Sequence, residues 1–271
     1  MPTLYLVATP IGNLEDVSLR ALRTLKEVEL IAAEDTRRTR RLLTTYDIKT
    51  PMTSYHEHNK WSKLPYLLSR LEEVDVALVS EAGTPGISDP GYELIVAASQ
   101  RGFPVMAIPG PSVITVALAV SALPTDRFTY LGFPPRRAGA RRRLLQSIAH
   151  EPGTIVVLES PHRVRDTLGD ILAVLGDRRI AVCRELTKVH EEVFRGRISQ
   201  AIEHFAQPRG EFTLIIEGNR EKLAPQLTEA IEKRLGEMRR SGVGAKEAVT
   251  RLARETGLSR RELYQAWLKL I

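Results

Sequence analysis

The sequence predicts an α/β protein with two α/β domains and a small all-helical C-terminal extension. Three observations lead there. Short apolar runs alternate with helix-period segments from Thr3 to Leu123, the alternation restarts after Leu123-Pro124-Thr125-Asp126, and from about Thr228 only helix signals remain. Regular strand–helix alternation argues for parallel sheets with helices on their faces. The expected parts are residues 1–122, 123–222 and 223–271, sizes that a chain of 271 residues accommodates.

Thr3 to Ala8 is a short apolar run of buried-strand type, followed by the turn-rich Thr9-Pro10-Ile11-Gly12-Asn13. Ser18 caps a helix carrying Leu19, Leu22 and Leu25. Val28 to Ala33 is a second strand, and Glu34-Asp35-Thr36-Arg37 ends it and opens a helix. Leu64, Leu67, Leu68 and Leu71 set a helical period over Asn59 to Glu72. Val74 to Val79 is a strand, Ser80 to Gly91 a glycine- and proline-rich loop, and Tyr92 to Gln100 a helix. Pro104 to Ile108 is the next strand, and Pro109-Gly110-Pro111-Ser112 opens an apolar helix from Val113 to Leu123.

In the second part, strands are expected at Phe128 to Gly132, Thr154 to Leu158, Arg179 to Arg184 and Phe212 to Glu217. Helices are expected at Gly139 to His150, His162 to Leu175 and Ile198 to Phe205. In the tail, Ala245 to Glu255 is helical, Thr256-Gly257-Leu258 breaks it, and Ser259-Arg260-Arg261-Glu262 forms a capping box for a last helix. Helix, glycine turn and capped helix outline a helix-turn-helix, and equally an ordinary αα-hairpin.

Several classes are excluded. Val113 to Leu123 is too short to cross a bilayer and carries Thr115 and Ser121. No basic stretch precedes the apolar residues of the N-terminus, so a cytoplasmic protein without membrane contact is expected. The single cysteine, Cys183, leaves no internal disulfide or cysteine-clustered zinc site. Phosphate-loop, dinucleotide-fingerprint, nucleophile-elbow and zinc-protease motifs are absent. His56 and His58 diverge on a helix and lack an evident third ligand, so no metal is assigned.

The formal net charge is +6, and most of it lies in the tail, where Arg220 to Ile271 holds 12 Lys and Arg against 7 Asp and Glu. Two arginine clusters add local charge, Arg37, Arg38, Arg40 and Arg41, then Arg136, Arg137, Arg141, Arg142 and Arg143. Each is a solvated face or a phosphate track. Three basic regions in one chain favour a nucleic-acid partner, because each neutralised phosphate releases counterions.

Tight loops at strand ends mark the candidate site. Thr9-Pro10-Ile11-Gly12, Ala82-Gly83-Thr84-Pro85-Gly86-Ile87 and Pro109-Gly110-Pro111-Ser112 each follow a strand. Open α/β sheets bind ligands at such carboxyl ends.

Together these loops resemble a known family, ribosomal RNA small subunit methyltransferase I. The resemblance is carried by Val7-Ala8-Thr9-Pro10-Ile11-Gly12-Asn13-Leu14, Ala33-Glu34-Asp35-Thr36-Arg37 and Ser54-Tyr55-His56-Glu57-His58-Asn59. It extends through Ala82-Gly83-Thr84-Pro85-Gly86-Ile87-Ser88-Asp89-Pro90-Gly91, Glu159-Ser160-Pro161-His162-Arg163, Arg184-Glu185-Leu186-Thr187-Lys188 and Gly210-Glu211-Phe212-Thr213. In one departure, this chain carries Glu81 where the family pattern leads one to expect Asp.

The resemblance implies the tetrapyrrole-methylase-like class of S-adenosylmethionine methyltransferases, with the cofactor in a cleft between two α/β domains, commonly as a homodimer. It implies 2′-O-methylation of a decoding-centre cytidine in 16S ribosomal RNA, either naked or in the assembled small subunit. Carried over by motif, the cofactor contacts are Pro10, Gly83, Thr84 and Ile87, then Ser112 and Val113, and in the second domain Glu159, Glu185 and Thr213. The catalytic candidates near the cleft are Glu81, Asp89, Arg184 and Lys188. Glu81 or Asp89 would accept a proton or balance the sulfonium charge, Lys188 would be a neutral base if desolvated, and Arg184 would hold a phosphate. Two other readings stay open: a methylase of a tetrapyrrole or other small acceptor, and a non-catalytic RNA-binding or ribosome-assembly factor on the same fold.

Overall fold

The computed structural model describes residues 1–219 and 227–269. Two compact units divide at Gly218 and Asn219.

The first unit begins with five strands, β1 (Leu4–Val7), β2 (Leu30–Ala33), β3 (Met52–Ser54), β4 (Val76–Val79) and β5 (Val105–Ile108). They form one all-parallel sheet in the order β3-β2-β4-β1-β5. Helices α1 (Leu19–Glu27), α2 (Thr36–Thr45), α3 (Lys60–Leu71), α4 (Tyr92–Gln100) and α5 (Val113–Val120) make the crossovers and lead out of the sheet. Caps set their starts: Ser18 accepts the amide of Ala21, and Asp35 accepts those of Arg37 and Arg38. Strands β2 and β4 are buried at every position, as central parallel strands require, so they read as unbroken apolar runs. Two expectations shift. The α5 helix stops at Val120, where the Ser121 hydroxyl turns back to the Leu118 carbonyl. Strand β3, three residues long, carries too short a pattern to be read in advance.

A second sheet follows, built of β6 (Phe128–Tyr130), β7 (Thr154–Glu159), β8 (Arg179–Arg184), β9 (Glu192–Arg197) and β10 (Phe212–Ile216). Its order is β6-β7-β10-β8-β9. Only β6 and β7 run parallel, and the other three pairings are antiparallel. This corrects the expectation of a second parallel sheet. The link between β8 and β9 is too short for a crossover helix, so these strands pair as a hairpin. Helices α6 (Ala138–Ser147), α7 (Val164–Leu175) and α8 (Ile198–His204) pack on one face around Leu168, Ile171 and Phe212. The other face meets the first sheet's half, where Ile11, Ala117, Leu118 and Leu123 bury against Val156, Ala181, Cys183 and Ile215.

The second unit holds α9 (Glu229–Arg240), α10 (Ala245–Thr256) and α11 (Arg260–Lys269) around a core of Leu235, Leu252, Leu263 and Trp267. Gly257 ends α10 in the left-handed conformation that glycine adopts without strain (φ 73°). The capping box forms: the Glu262 amide donates to Ser259 Oγ and the Ser259 amide to Glu262 Oε2, each at 3.2 Å. Among the described residues no helix is long and apolar enough to cross a membrane.

Candidate active site

Strands β4, β1 and β5 are neighbours, so the loops at their carboxyl ends meet. The Thr9 amide donates to the Gly83 carbonyl at 2.9 Å, and the Gly83 amide returns to Thr9 at 3.0 Å. Gly83 has φ +78°, and a Cβ there would lie 3.7 Å from Ile11 and 3.8 Å from the Pro111 carbonyl. A Cβ on Gly110 would come to 3.0 Å from that of Ala8. Gly83 is thus required by its positive φ, whereas Gly110 is what lets its loop approach Ala8 closely. Pro10 and Gly83 are buried, Thr84, Ser112 and Val113 half-buried, and Ile87 exposed. Ser112 precedes α5 but makes no side-chain cap, which leaves its hydroxyl and the first-turn amides unused.

The second sheet's half closes over these loops. The Asn13 amide donates to Thr187 Oγ1 at 3.0 Å, and Ser88 Oγ pairs with the Tyr130 hydroxyl at 2.7 Å. Glu185 and Thr187 adopt left-handed backbone (φ 49° and 67°), an uncommon state for non-glycine residues that clusters at functional loops. Strand alternation puts Thr213 on the face of Ile215, toward the first domain, where it is buried. Glu159 shares its face with Ile155 and Val157, on the opposite side. Its carboxylate is buried, accepting from the Ser160 amide at 2.9 Å and Thr167 Oγ1 at 2.7 Å, with Arg163 at 3.2 Å. The Glu159 side chain thus anchors α7 within its own domain and does not face the cleft.

An acidic group gathers where β2 and β4 end. The Glu81 amide donates to Glu34 Oε2 at 3.0 Å, and the Glu81 carboxylate pairs with Arg38. Burial pushes the Asp89 carboxyl up to about 7, with the charges of Glu34 and Glu81 adding to it and the Ser80 hydroxyl opposing. Burial likewise raises Glu34. Sequence reasoning passed over Glu34; its position directly after a fully apolar strand was the available signal.

The other two catalytic candidates lie on the second domain. Arg184 Nη2 holds Glu192 at 3.0 Å, bracing the β8–β9 hairpin. Lys188 Nζ donates to Glu185 at 2.8 Å and Glu211 at 3.0 Å. Burial pulls its pKa down, but those two bonds outweigh it and hold it above the ordinary value. Lys188 therefore stays protonated, which corrects the neutral-base reading. Glu185 is drawn into the same knot, accepting the Glu211 amide at 2.9 Å.

Residues 3–202 match the family model of Tetrapyrrole (Corrin/Porphyrin) Methylases. A ribosomal RNA small subunit methyltransferase I from Halalkalibacterium halodurans is 47% identical over 98% of this chain and 94% of its own length. One from Thermotoga maritima is 50% identical over 80% of this chain and 99% of its own. The chain belongs to the ribosomal RNA small subunit methyltransferase I family. Among solved structures, a uroporphyrin-III C-methyl transferase from Thermus thermophilus complexed with S-adenosyl homocysteine superimposes with a TM-score of 0.60. That likeness, at 20% identity over 79% of this chain and 97% of that one, concerns the fold alone.

In this member of the ribosomal RNA small subunit methyltransferase I family, the arginine clusters divide by burial. On α2, Arg37, Arg40 and Arg41 are exposed, and Arg38 is engaged by Glu81. On and before α6, Arg136, Arg137 and Arg143 are exposed. Arg141 is 5% exposed and holds Asp170 through Nε and Nη2 at 2.7 and 2.6 Å. This corrects its reading as an RNA contact, since a guanidinium enclosed between α6 and α7 cannot meet a phosphate. Arg142 shares Asp170 through its Nε at 2.6 Å, with most of its side chain in solvent.

Proposed function

We propose that this chain transfers a methyl group from S-adenosylmethionine to the 2′-hydroxyl of a decoding-centre cytidine in small-subunit ribosomal RNA. The observation that carries this reading is the interlocked cradle of Thr9 to Ile11, Gly83 and Pro109 to Ser112, covered by a second domain. In the reading, residues 1–122 and 123–222 flank the site and 223–271 is an RNA-binding appendage. A homodimer in the cytoplasm is part of the same proposal.

The cradle fits the cofactor. Backbone bared at Gly83, the free Ser112 hydroxyl and the uncapped first turn of α5 offer donors to a carboxylate and to ribose hydroxyls. Pro10, Thr84, Ile87 and Val113 supply its apolar and polar walls, with Thr213 and the Glu185 backbone from the second domain. When bound, the cofactor supplies an electrophilic methyl group on a sulfonium.

The protein's task is then alignment first and proton removal second. Holding the hydroxyl in line with the methyl is worth roughly 7–11 kcal/mol. A general base adds about 10²–10⁴-fold. Asp89, its carboxyl pushed up to about 7 by burial, is the residue that would hold the hydroxyl proton. Glu81 is held by Arg38 beside the cradle. Protonated Lys188 pins Glu185 and Glu211 and so fixes the loop that carries Thr187. Arg37, Arg40, Arg41, Arg136, Arg137 and Arg143 bind the RNA backbone.

Labelled methyl transfer to small subunits lacking the modification, with naked RNA and large subunits alongside, tests the reading. Mass spectrometry should place the methyl on a decoding-region ribose. Cofactor binding without transfer to any RNA would point to another acceptor, and no cofactor binding to a non-catalytic factor.

A further inference from the structure

A second concavity, of about 340 Å³, lies at the far end of β8 from Arg184, lined by Arg179, Arg195, Arg197, Ser121, Leu123 and Gln200 among others. The β8–β9 register sets Arg179 directly opposite Arg197 and Ala181 opposite Arg195. Alternation puts all three arginines on one face, the one on which Ala181 and Cys183 pack toward the first domain. Like charges directly opposite each other across a strand pair destabilise it. A structural role would answer that repulsion with carboxylates, yet none lines the pocket.

What compensation exists comes mostly from carbonyl oxygens. Arg195 donates through Nε and Nη2 to the Val120 carbonyl at 2.9 and 2.5 Å, capping the negative end of α5. Arg197 Nη1 donates to the Asp177 carbonyl at 2.7 Å. The nearby Asp177 carboxylate accepts the Ser199 amide and hydroxyl, each at 2.9 Å, and feels the charge of Arg197 without a direct ion pair. Arg179 is exposed and makes no side-chain hydrogen bond or ion pair among the described residues. Arginine forks unspent on carboxylates match phosphate oxygens in pairs.

We propose that the Arg179–Arg195–Arg197 pocket binds a phosphate group. Resting on the reading of the chain as an RNA enzyme, that phosphate belongs to the RNA backbone flanking the target nucleotide. Arg179 and Arg184 bound the same strand, on the order of 17 Å apart at about 3.3 Å per residue. The pocket thus lies a strand's length from Arg184, and none of its lining residues belongs to α2 or α6. The strand register brings Arg179 of β8 to Arg195 and Arg197 of β9.

The test compares wild type with Arg179→Gln and with the double variant Arg179→Gln/Arg197→Gln, leaving Arg195 to cap α5. The probes are a single-stranded decoding-region RNA oligonucleotide, titrated at several salt concentrations, and tripolyphosphate in a thermal-shift assay. The expected result is a salt slope smaller by about 0.7 per lost contact, a lost tripolyphosphate shift and an unchanged or raised urea midpoint. Wild-type RNA binding with an unchanged slope in both variants overturns the proposal and leaves the RNA reading standing. A wild type that ignores RNA but is stabilised by tripolyphosphate, with the shift lost in the variants, keeps the pocket, makes its ligand a free phosphate compound and overturns the RNA source. A lowered midpoint in the single variant makes Arg179 structural and overturns the proposal.

Discussion

The amide of Asn13 donates to Oγ1 of Thr187 at 3.0 Å, joining residues 174 positions apart in the chain. The bond ties the loop after β1 to the loop after β8, the two walls of the proposed cleft. Gly12 is what allows the walls to approach. A Cβ there would lie 2.6 Å from Thr187 Oγ1, 2.7 Å from Lys188 Cγ and 3.0 Å from the Leu186 carbonyl. The substitution Gly12→Ala should push the loops apart, costing roughly 1–3 kcal/mol and weakening S-adenosylmethionine binding. Urea unfolding and calorimetric titration would show both losses. Adding Thr187→Ala should restore part of each, and a neutral Gly12→Ala would mean the loops are not held this closely.

A buried ion pair governs the second domain's helices. Arg141 and Asp170 each expose 6% of the side chain, and α6 and α7 meet there. Removing one partner leaves a buried charge uncompensated, typically at a cost of about 3–5 kcal/mol. The substitution Asp170→Ala should therefore lower the unfolding midpoint sharply without changing the salt dependence of RNA binding. Neutralising exposed Arg137 or Arg143 should do the reverse, leaving stability alone and flattening the slope by about 0.7 per contact. A stable Asp170→Ala protein would remove the structural role assigned to Arg141.

These residues also show where sequence reading succeeded and where it stopped. The three cradle loops were legible because tight turns at strand ends require glycine and proline, which stand out locally. The all-parallel first sheet was legible because β2 and β4 are unbroken apolar runs. Strand β9 was not, since Glu192-Val-Phe-Arg-Gly-Arg shows a partner-facing side only once β8 is beside it. Nor could the α6 arginine run reveal which guanidinium turns inward, because Asp170 lies 29 residues further on. Strand alternation that aims Glu159 away from the cleft follows from the register of β7, which the motif alone does not contain.

In the helical unit, the Ser259–Glu262 capping box satisfies two amide groups at the start of α11. The substitution Ser259→Ala should cost about 0.5–2 kcal/mol, borne by the helical unit alone. Hydrogen exchange on the full chain should show faster exchange through α11 and the amides packed around Leu263 and Trp267. The β-sheet amides should keep their protection, and a uniform loss across the chain would contradict the division into two units.

In the proposed mechanism, the titration of Asp89 links stability to catalysis. Its folded-state value of about 7 lies above the roughly 3.9 of an unfolded aspartate. Between those values the folded chain holds a proton that the unfolded chain has released, so stability falls as pH rises. The stabilisation is complete below pH ~4 and gone once pH has risen through about 7. Wild-type urea midpoints should therefore drop from pH 5.5 to pH 8, and Asp89→Asn should flatten that drop by removing the charge that Glu34 and Glu81 repel. Activity should move the opposite way. If Asp89 accepts the ribose proton, single-turnover methyl transfer should climb as pH passes about 7. The variant should lose that limb and about 10²–10⁴-fold in rate while still binding S-adenosylmethionine. A variant that keeps both the limb and the rate would assign the proton to another acceptor, with Glu34, hydrogen-bonded to the Glu81 amide, the next to replace.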